Sequence, residues 1–245
     1  VFNFFRNLRP IIEQFQPDKV FFVLEGHAQF RYDLFPDYKA SRRIVKTGSK
    51  KDAQDKFFIH KDIIVNLMRL LPITTIRATG YEADDVIATL CENLKDEDVT
   101  VLSNDTDFIQ LLQKGYGNLK IYNPISKKFQ VAPQYPYVAW KALTGDTSDS
   151  IPGFPGIGDK TAQKMLADPD RFEKFMSVEE NRANFAIFRQ LIELDRIVPY
   201  DELVVEEGRA DWDVLRKEFE KMEFNSIVND ASWKKYTDTF NCVKF

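Results

Sequence analysis

Two cysteines and two histidines are all that 245 residues contain. Cys91 and Cys242 are too few for a disulfide framework or a cysteine-based zinc site. His27 and His60 are too few for a histidine-rich metal centre. No apolar run approaches the ~18–20 residues needed to cross a bilayer, and no basic-then-apolar leader opens the chain. These absences predict a reduced, cytoplasmic protein without a membrane partner. The 44% hydrophobic and 29% charged content fits a globular chain able to bury a substantial core.

The net charge of −4 conceals an uneven distribution. Between Arg31 and Lys61 nine basic residues (31, 39, 42, 43, 46, 50, 51, 56 and 61) face four aspartates, 33, 37, 52 and 55. The acids gather instead in short clusters further along. A cationic strip beside compact carboxylate clusters suits a phosphate backbone held over metal ions; a solvated helix face would account for the strip by itself.

Hydrophobic spacing predicts a helix over Val1–Phe15 and a strand over Lys19–Glu25, apolar on both faces. A break at Gly48–Ser49 follows, then a helix over Phe57–Leu71 and a strand over Ile73–Ala78. A helix over Glu82–Leu94, a strand over Val99–Leu102, a helix over Phe108–Gln113 and a strand over Leu119–Tyr122 complete the pattern. The alternation predicts an α/β fold, a mostly parallel central sheet with helices on both faces. After Ala132 strand signals fade, which predicts a mainly helical C-terminal subdomain with a boundary near Pro133–Pro136.

Glu82, Asp84 and Asp85 open the helix after one strand. Asp105 and Asp107 follow the next, Glu25 closes the first, and Asp146 and Asp149 lie beyond. In a doubly wound sheet the first three groups share the carboxyl edge, where ligands bind. Singly, a helix dipole, an N-cap or a turn explains each. Together they repel unless a counter-charge intervenes. Oxygen-only sites suit Mg²⁺ or Mn²⁺, and two such ions ~4 Å apart are the arrangement for phosphodiester hydrolysis.

The segments PDKVFFVLEG, FRYDLFPDYKASR, GYEADDVIATL, VLSNDTDFIQLL, LTGDTSDSIPGFPGIGDKTAQKML and LIELDRIVPYDEL, in this order, resemble the flap endonuclease/5′-nuclease family. The family includes phage 5′–3′ exonucleases and the nuclease domain of bacterial DNA polymerase I. The resemblance implies a nuclease core over 1–135 with a helical arch over 31–62, and a DNA-binding subdomain over 136–245. It implies that Glu25, Glu82, Asp84, Asp85, Asp105, Asp107, Asp146 and Asp149 hold two divalent ions. Arg31, Lys39 and Arg42 would hold the scissile phosphate and Tyr38 would stack on a base. Gly153, Gly156 and Gly158, taking positive φ in a helix–turn–helix, would join Lys160 and Thr161 in binding duplex DNA, with K⁺ on the turn's carbonyls.

The family's opening strand and its metal-binding Asp have no counterpart before Val1. Glu25 stands where the family has Asp, one residue closer than usual to Phe30, and Ser150 where it has Asn. These departures predict a fragment or split chain, impaired unless a separate N-terminal polypeptide completes it. The implied activity is structure-specific 5′–3′ exonuclease and flap endonuclease cleavage of branched DNA, extending to RNA–DNA hybrids, by a stand-alone monomer of a bacterial or phage-infected cytoplasm. The alternative is a non-catalytic DNA-structure-binding homologue. A ribonuclease or phosphatase on a related scaffold needs neither arch nor glycine-rich turn.

Overall fold

Apolar residues at helical spacing fold α1 (Phe2–Phe15), and Phe5 and Ile12 go fully inside. The computed structural model describes residues 1–43 and 47–244. In chain order there follow β1 (Phe21–Val23), α2 (Gln29–Leu34), α3 (Ser49–Met68), β2 (Thr74–Ala78), α4 (Ala83–Asn93), β3 (Thr100–Leu102), α5 (Ile109–Leu112), β4 (Lys120–Asn123), β5 (Lys128–Phe129) and α6 (Tyr137–Thr144). Then come α7 (Asp159–Leu166), α8 (Pro169–Met176), α9 (Glu179–Ile192), β6 (Leu203–Glu207), α10 (Trp212–Lys221), α11 (Asn225–Val228) and α12 (Asp230–Thr239). No described helix is long and apolar enough to cross a membrane.

The fold is α/β, with its strands in two three-stranded sheets, ordered β1-β2-β6 and β3-β4-β5. The expected parallel pairing holds for β1 with β2 and for β3 with β4. β5 returns antiparallel on β4. Spacing-based reading missed two strands. β5 is two residues long, too short to show a period. β6 (LVVEE) has only one apolar stretch, and its valines Val204 and Val205 are both exposed, so no clean alternation marks it.

The chain forms two compact units, each built from separated segments. One comprises 1–24, 45–77 and 203–245, and its core joins Phe5 and Ile12 to Leu67, Met68, Leu71 and Ile73. Phe219, Phe224, Trp233, Tyr236 and Phe240 fill the same core with edge-on and tilted aromatic pairs. The other comprises 25–44 and 78–202. It has one core around Leu143, Ile151, Phe154, Phe185 and Phe188, and a second around Val101, Phe108, Leu111 and Ile121. Every acidic cluster singled out above belongs to this second unit.

Of the cationic strip, Lys46 lies outside the described residues. Lys50, Lys51 and Lys56 are exposed along α3, whose N-terminus is set by Gly48 at φ 58.

Candidate metal and phosphodiester site

The site begins at the N-terminus of α4, where Glu82 and Asp85 form a reciprocal capping box. The Glu82 N–H donates to Asp85 Oδ2 at 3.0 Å, satisfying helix-end donors that would otherwise lack partners. Arg31, on α2, donates to both Asp85 oxygens at 2.7 Å and to the Leu191 carbonyl at 3.3 Å. It also lies 3.3 Å from Glu82 Oε2. Arg31 is 2% exposed and Asp85 0%. Burial alone would lower the arginine's pKa, but Asp85 outweighs it and holds the guanidinium above its ordinary range.

Glu82 gathers two more donors. The Tyr38 hydroxyl donates to Oε2 at 2.9 Å and to Asp149 Oδ2 at 3.2 Å, and the Lys39 ammonium donates to Oε1 at 2.6 Å. Lys39 takes a left-handed backbone, φ 51, with its N–H on the Asp149 carbonyl at 2.9 Å. Left-handed backbone at a non-glycine residue is unfavourable and persists where surroundings over-determine it. Asp149 also accepts from Arg42 at 2.8 Å. Ser150, following it, is left-handed at φ 60. Asn visits this region more readily than Ser, so the family's Asn would suit this backbone better.

The second half of the site lies where β3 and α6 end. Asp107, Asp146 and Asp149 bring carboxylate oxygens within 4.8 Å of one another. Lys141, from the last turn of α6, contacts Asp107 and reaches Asp146 at 2.7 Å. Asp146 is held by the Ser148 N–H and hydroxyl, each at 2.7 Å, and by a two-way backbone bridge to Ile151. Asp105 accepts the Asp107 N–H at 2.9 Å, and the Tyr137 hydroxyl lies 3.4 Å from Asp107.

The electrostatics separate these acids. Burial, then Asp105 and Glu25, pushes the Asp84 carboxyl up to about 7. Burial likewise raises Asp107, Asp149 and Glu25, against the pull of Lys141, Lys39 and Arg42. Burial would raise Asp146 too, but hydrogen bonds from Lys141 and Ser148 outweigh it and hold the carboxyl low. Glu25 accepts the Ala83 N–H at 3.3 Å, so one methylene longer than Asp it still reaches the head of α4.

Four roles implied by resemblance are corrected, those of Tyr38, Arg31, Asp85 and Gly158. Tyr38 is 2% exposed, so its ring has no free face for a base; its hydroxyl ties Glu82 to Asp149. Arg31 is committed to Asp85, and neither side chain is open to a phosphate or an ion in this conformation. Gly158 has φ −92 and caps α7 in extended backbone, while Gly153 (φ 65) and Gly156 (φ 77) are left-handed as expected. Lys160 is exposed at the start of α7, and Thr161 donates its N–H to the Gly158 carbonyl.

Lys141 and Tyr137 were not foreseen. A single cation in the otherwise apolar α6 (YVAWKALT), five residues before Asp146, was the available signal. The presence of Lys141, Lys39, Arg31 and Arg42 also amends the premise that only metal ions could reconcile these carboxylates. The chain supplies cations of its own. Three half-buried aspartate oxygens, hard donors at close quarters, still fit a hard divalent ion.

Comparison with known proteins places these features in context. The family described as "5'-3' exonuclease, N-terminal resolvase-like domain" matches residues 1–137, and "5'-3' exonuclease, C-terminal SAM fold" matches 132–212. A 5'-3' exonuclease of Bacillus subtilis is 32% identical over 222 residues, covering 80% of this chain and 72% of that protein. The thermostable DNA polymerase I of Thermus thermophilus is 29% identical over 252 residues, 94% of this chain but only 29% of the polymerase. The chain thus spans under a third of the polymerases it matches.

Among solved structures, the bacteriophage T5 D15 flap endonuclease, in a complex with DNA and metal ions, matches with a TM-score of 0.64. It is 17% identical, and the match covers 98% of this chain and 89% of that one. Human GEN1 bound to Holliday junction DNA matches at 0.57 and 19% identity, covering 96% and 65%. At such identities the likeness concerns the fold.

Proposed function

The chain belongs to the 5′–3′ exonuclease family, and from that premise we propose that it hydrolyses phosphodiester bonds in flapped or branched DNA using divalent metal ions, Mg²⁺ or Mn²⁺. The observation that carries this reading is the meeting of Asp107, Asp146 and Asp149 within 4.8 Å, beside an Asp84 whose carboxyl is pushed up to about 7. A concentration of acids this poorly solvated is a site waiting for positive charge.

Asp107, Asp146 and Asp149 would hold one ion, and Asp84, Asp105 and Glu25 a second, which Glu82 would join once Lys39 leaves its Oε1. Bound there, the ions supply an activated water and charge for the leaving oxygen. Lys141 neutralises Asp107 and Asp146 meanwhile, and would yield them as an ion arrives. Arg42, whose side chain is 55% exposed, is the cation open to a phosphate, and Lys39, buried on Glu82, would meet one by leaving that carboxylate. Arg31, Asp85 and Tyr38 hold α2 and the head of α4 in register.

The division of labour follows the sequence. Residues 1–135, joined by Lys141, Asp146 and Asp149, carry the cutting core, and the turn and α7 beyond them the DNA-holding part. In the turn between α6 and α7, Gly153 and Gly156 bend the backbone, and α7 presents N–H groups and Lys160 to a duplex phosphate. Carbonyls of this turn would cradle K⁺. RNA–DNA hybrids fit a site that reads backbone rather than bases. A monomer acting in the cytoplasm completes the reading.

Incubation with a 5′-flapped duplex tests it. Mg²⁺ should yield cleavage that a chelator abolishes and Asp107→Ala eliminates, with duplex binding retained. A second reading, binding without catalysis, is favoured by the four resident cations that balance the acids with no ion. Tight flap binding without cleavage at any Mg²⁺ or Mn²⁺ concentration would establish it.

A further inference from the structure

Beside the acids, within the same compact unit, runs a groove of about 570 Å³ whose aromatic lining none of the roles above uses. One end holds Asp105, Asp146 and Lys141. The rings of Tyr135, Tyr137 and Trp140 line it too, as do residues 144–148 and Pro152. Its size lies within the ~300–1,000 Å³ typical of small-molecule sites. Tyr137, Ala142 and Leu143 of α6 are buried, whereas Trp140 and Tyr135 are half-buried, their rings 5.5 Å apart.

Trp140 is held rather than loose. Its indole Nε1 donates to Asp159 Oδ1 at 3.0 Å, and Gln163 donates to the same oxygen at 2.6 Å. Its ring lies 5.7 Å from that of Tyr137, whose hydroxyl donates to Thr106 at 3.1 Å beside Asp107. A continuous run of contacts thus leads from the acids, through two rings, to the first residue of α7. A groove with charge at one end and fixed, partly open aromatic faces along it has the chemistry of a nucleoside site. Every base offers a π-face to such rings, and its phosphate would lie at the charged end.

We propose that this groove seats the nucleoside on the duplex side of the scissile phosphate, stacked on Trp140 with Tyr135 beside it. The duplex side follows from Ile151 and Pro152, lining residues from which the chain continues directly into the turn and α7. The inference rests on the nuclease reading and deepens it, making Trp140 a positioning residue that sets which phosphodiester bond reaches the acids. Stacking is tolerant of base identity, so the site fixes register without reading sequence.

The test combines a protein change with a DNA change. An abasic nucleotide on the duplex side of the cut should lower kcat/KM of the native chain by about five- to a hundred-fold. In Trp140→Ala the intact substrate should already suffer that loss, and the abasic one should lose less than about two-fold more. Trp140→Phe keeps a ring without the Asp159 bond and should retain the abasic penalty. Independently of cleavage, 2-aminopurine at that position, bound in the presence of a chelator, should be quenched by the native chain and Trp140→Phe but not by Trp140→Ala.

Equal abasic penalties in the native chain and Trp140→Ala, or equal quenching by them, would overturn the groove. Absence of cleavage by the native chain would instead count against the nuclease reading, leaving the fluorescence comparison to decide the groove alone.

Discussion

Arg31 and Asp85 meet through two 2.7 Å hydrogen bonds with both side chains withdrawn from water. Removing one partner of such a pair strands a buried charge, which costs roughly 3–5 kcal/mol. Arg31→Ala should therefore lower the melting temperature by several degrees before any effect on DNA is considered. A purely phosphate-binding arginine would leave the melt unchanged. Ser150 offers the opposite test. Its left-handed φ of 60 should be better tolerated in Ser150→Asn, raising stability, read from a denaturant midpoint.

Asp84 gives a pH dependence whose sign can be worked out. Its carboxyl ionises near 7 in the folded protein and 3.8 without perturbation. Between those values the folded state holds a proton the unfolded chain has released. The ion-free protein therefore loses stability through this group as pH rises from about 4 to about 7, and no more above. Asp84→Asn should match the native chain's melting temperature near pH 4 and exceed it by pH 8. Adding Mg²⁺ at pH 8 should reverse that order, because the native chain then gains a ligand. An unchanged order would remove Asp84 from the ion site.

At the scale of elements, the turn between α6 and α7 separates two kinds of glycine. A Cβ on Gly153 (φ 65) would lie 2.5 Å from the Gly145 nitrogen and the Thr144 carbonyl carbon, and one on Gly145 (φ 84) 2.6 Å from the Ile151 oxygen. The two backbones pass so closely that neither tolerates a side chain. A Cβ on Gly158 would meet nothing within 4 Å at an ordinary φ. Gly153→Ala should thus destabilise the fold markedly, while Gly158→Ala leaves the melt nearly unchanged. Any loss of DNA affinity in Gly158→Ala would then report a close approach of DNA to that backbone.

At the scale of the whole molecule, net charge misleads about partners because position outweighs sum. The exposed Lys50, Lys51 and Lys56 on α3, and Lys160 on α7, stand apart from the buried cations that the acids consume. Only the exposed set can release counterions from DNA. Lys160→Ala should weaken duplex binding and flatten the dependence of log Kd on log salt by about one unit, measured by titration between low and moderate salt. Arg31→Ala should leave that slope unchanged.

Much of this was legible in the residues themselves. Local periodicity marks α1, β1, β2, α4, β3 and β4, since amphipathic spacing is written over a few consecutive positions. The acidic clusters and the glycine-rich turn are equally local, because carboxylates next to strand ends and glycines in a tight turn announce themselves by type. β6, Lys141 and the burial of Tyr38 were not legible. Each depends on residues dozens of positions away: Asp107 for Lys141, Glu82 and Asp149 for Tyr38, and β2 for β6. Sequence alone determined which chemical groups are present and on which elements they ride. Tertiary structure decided which cation meets which carboxylate, because burial and distance, unlike residue type, belong to no single stretch of chain.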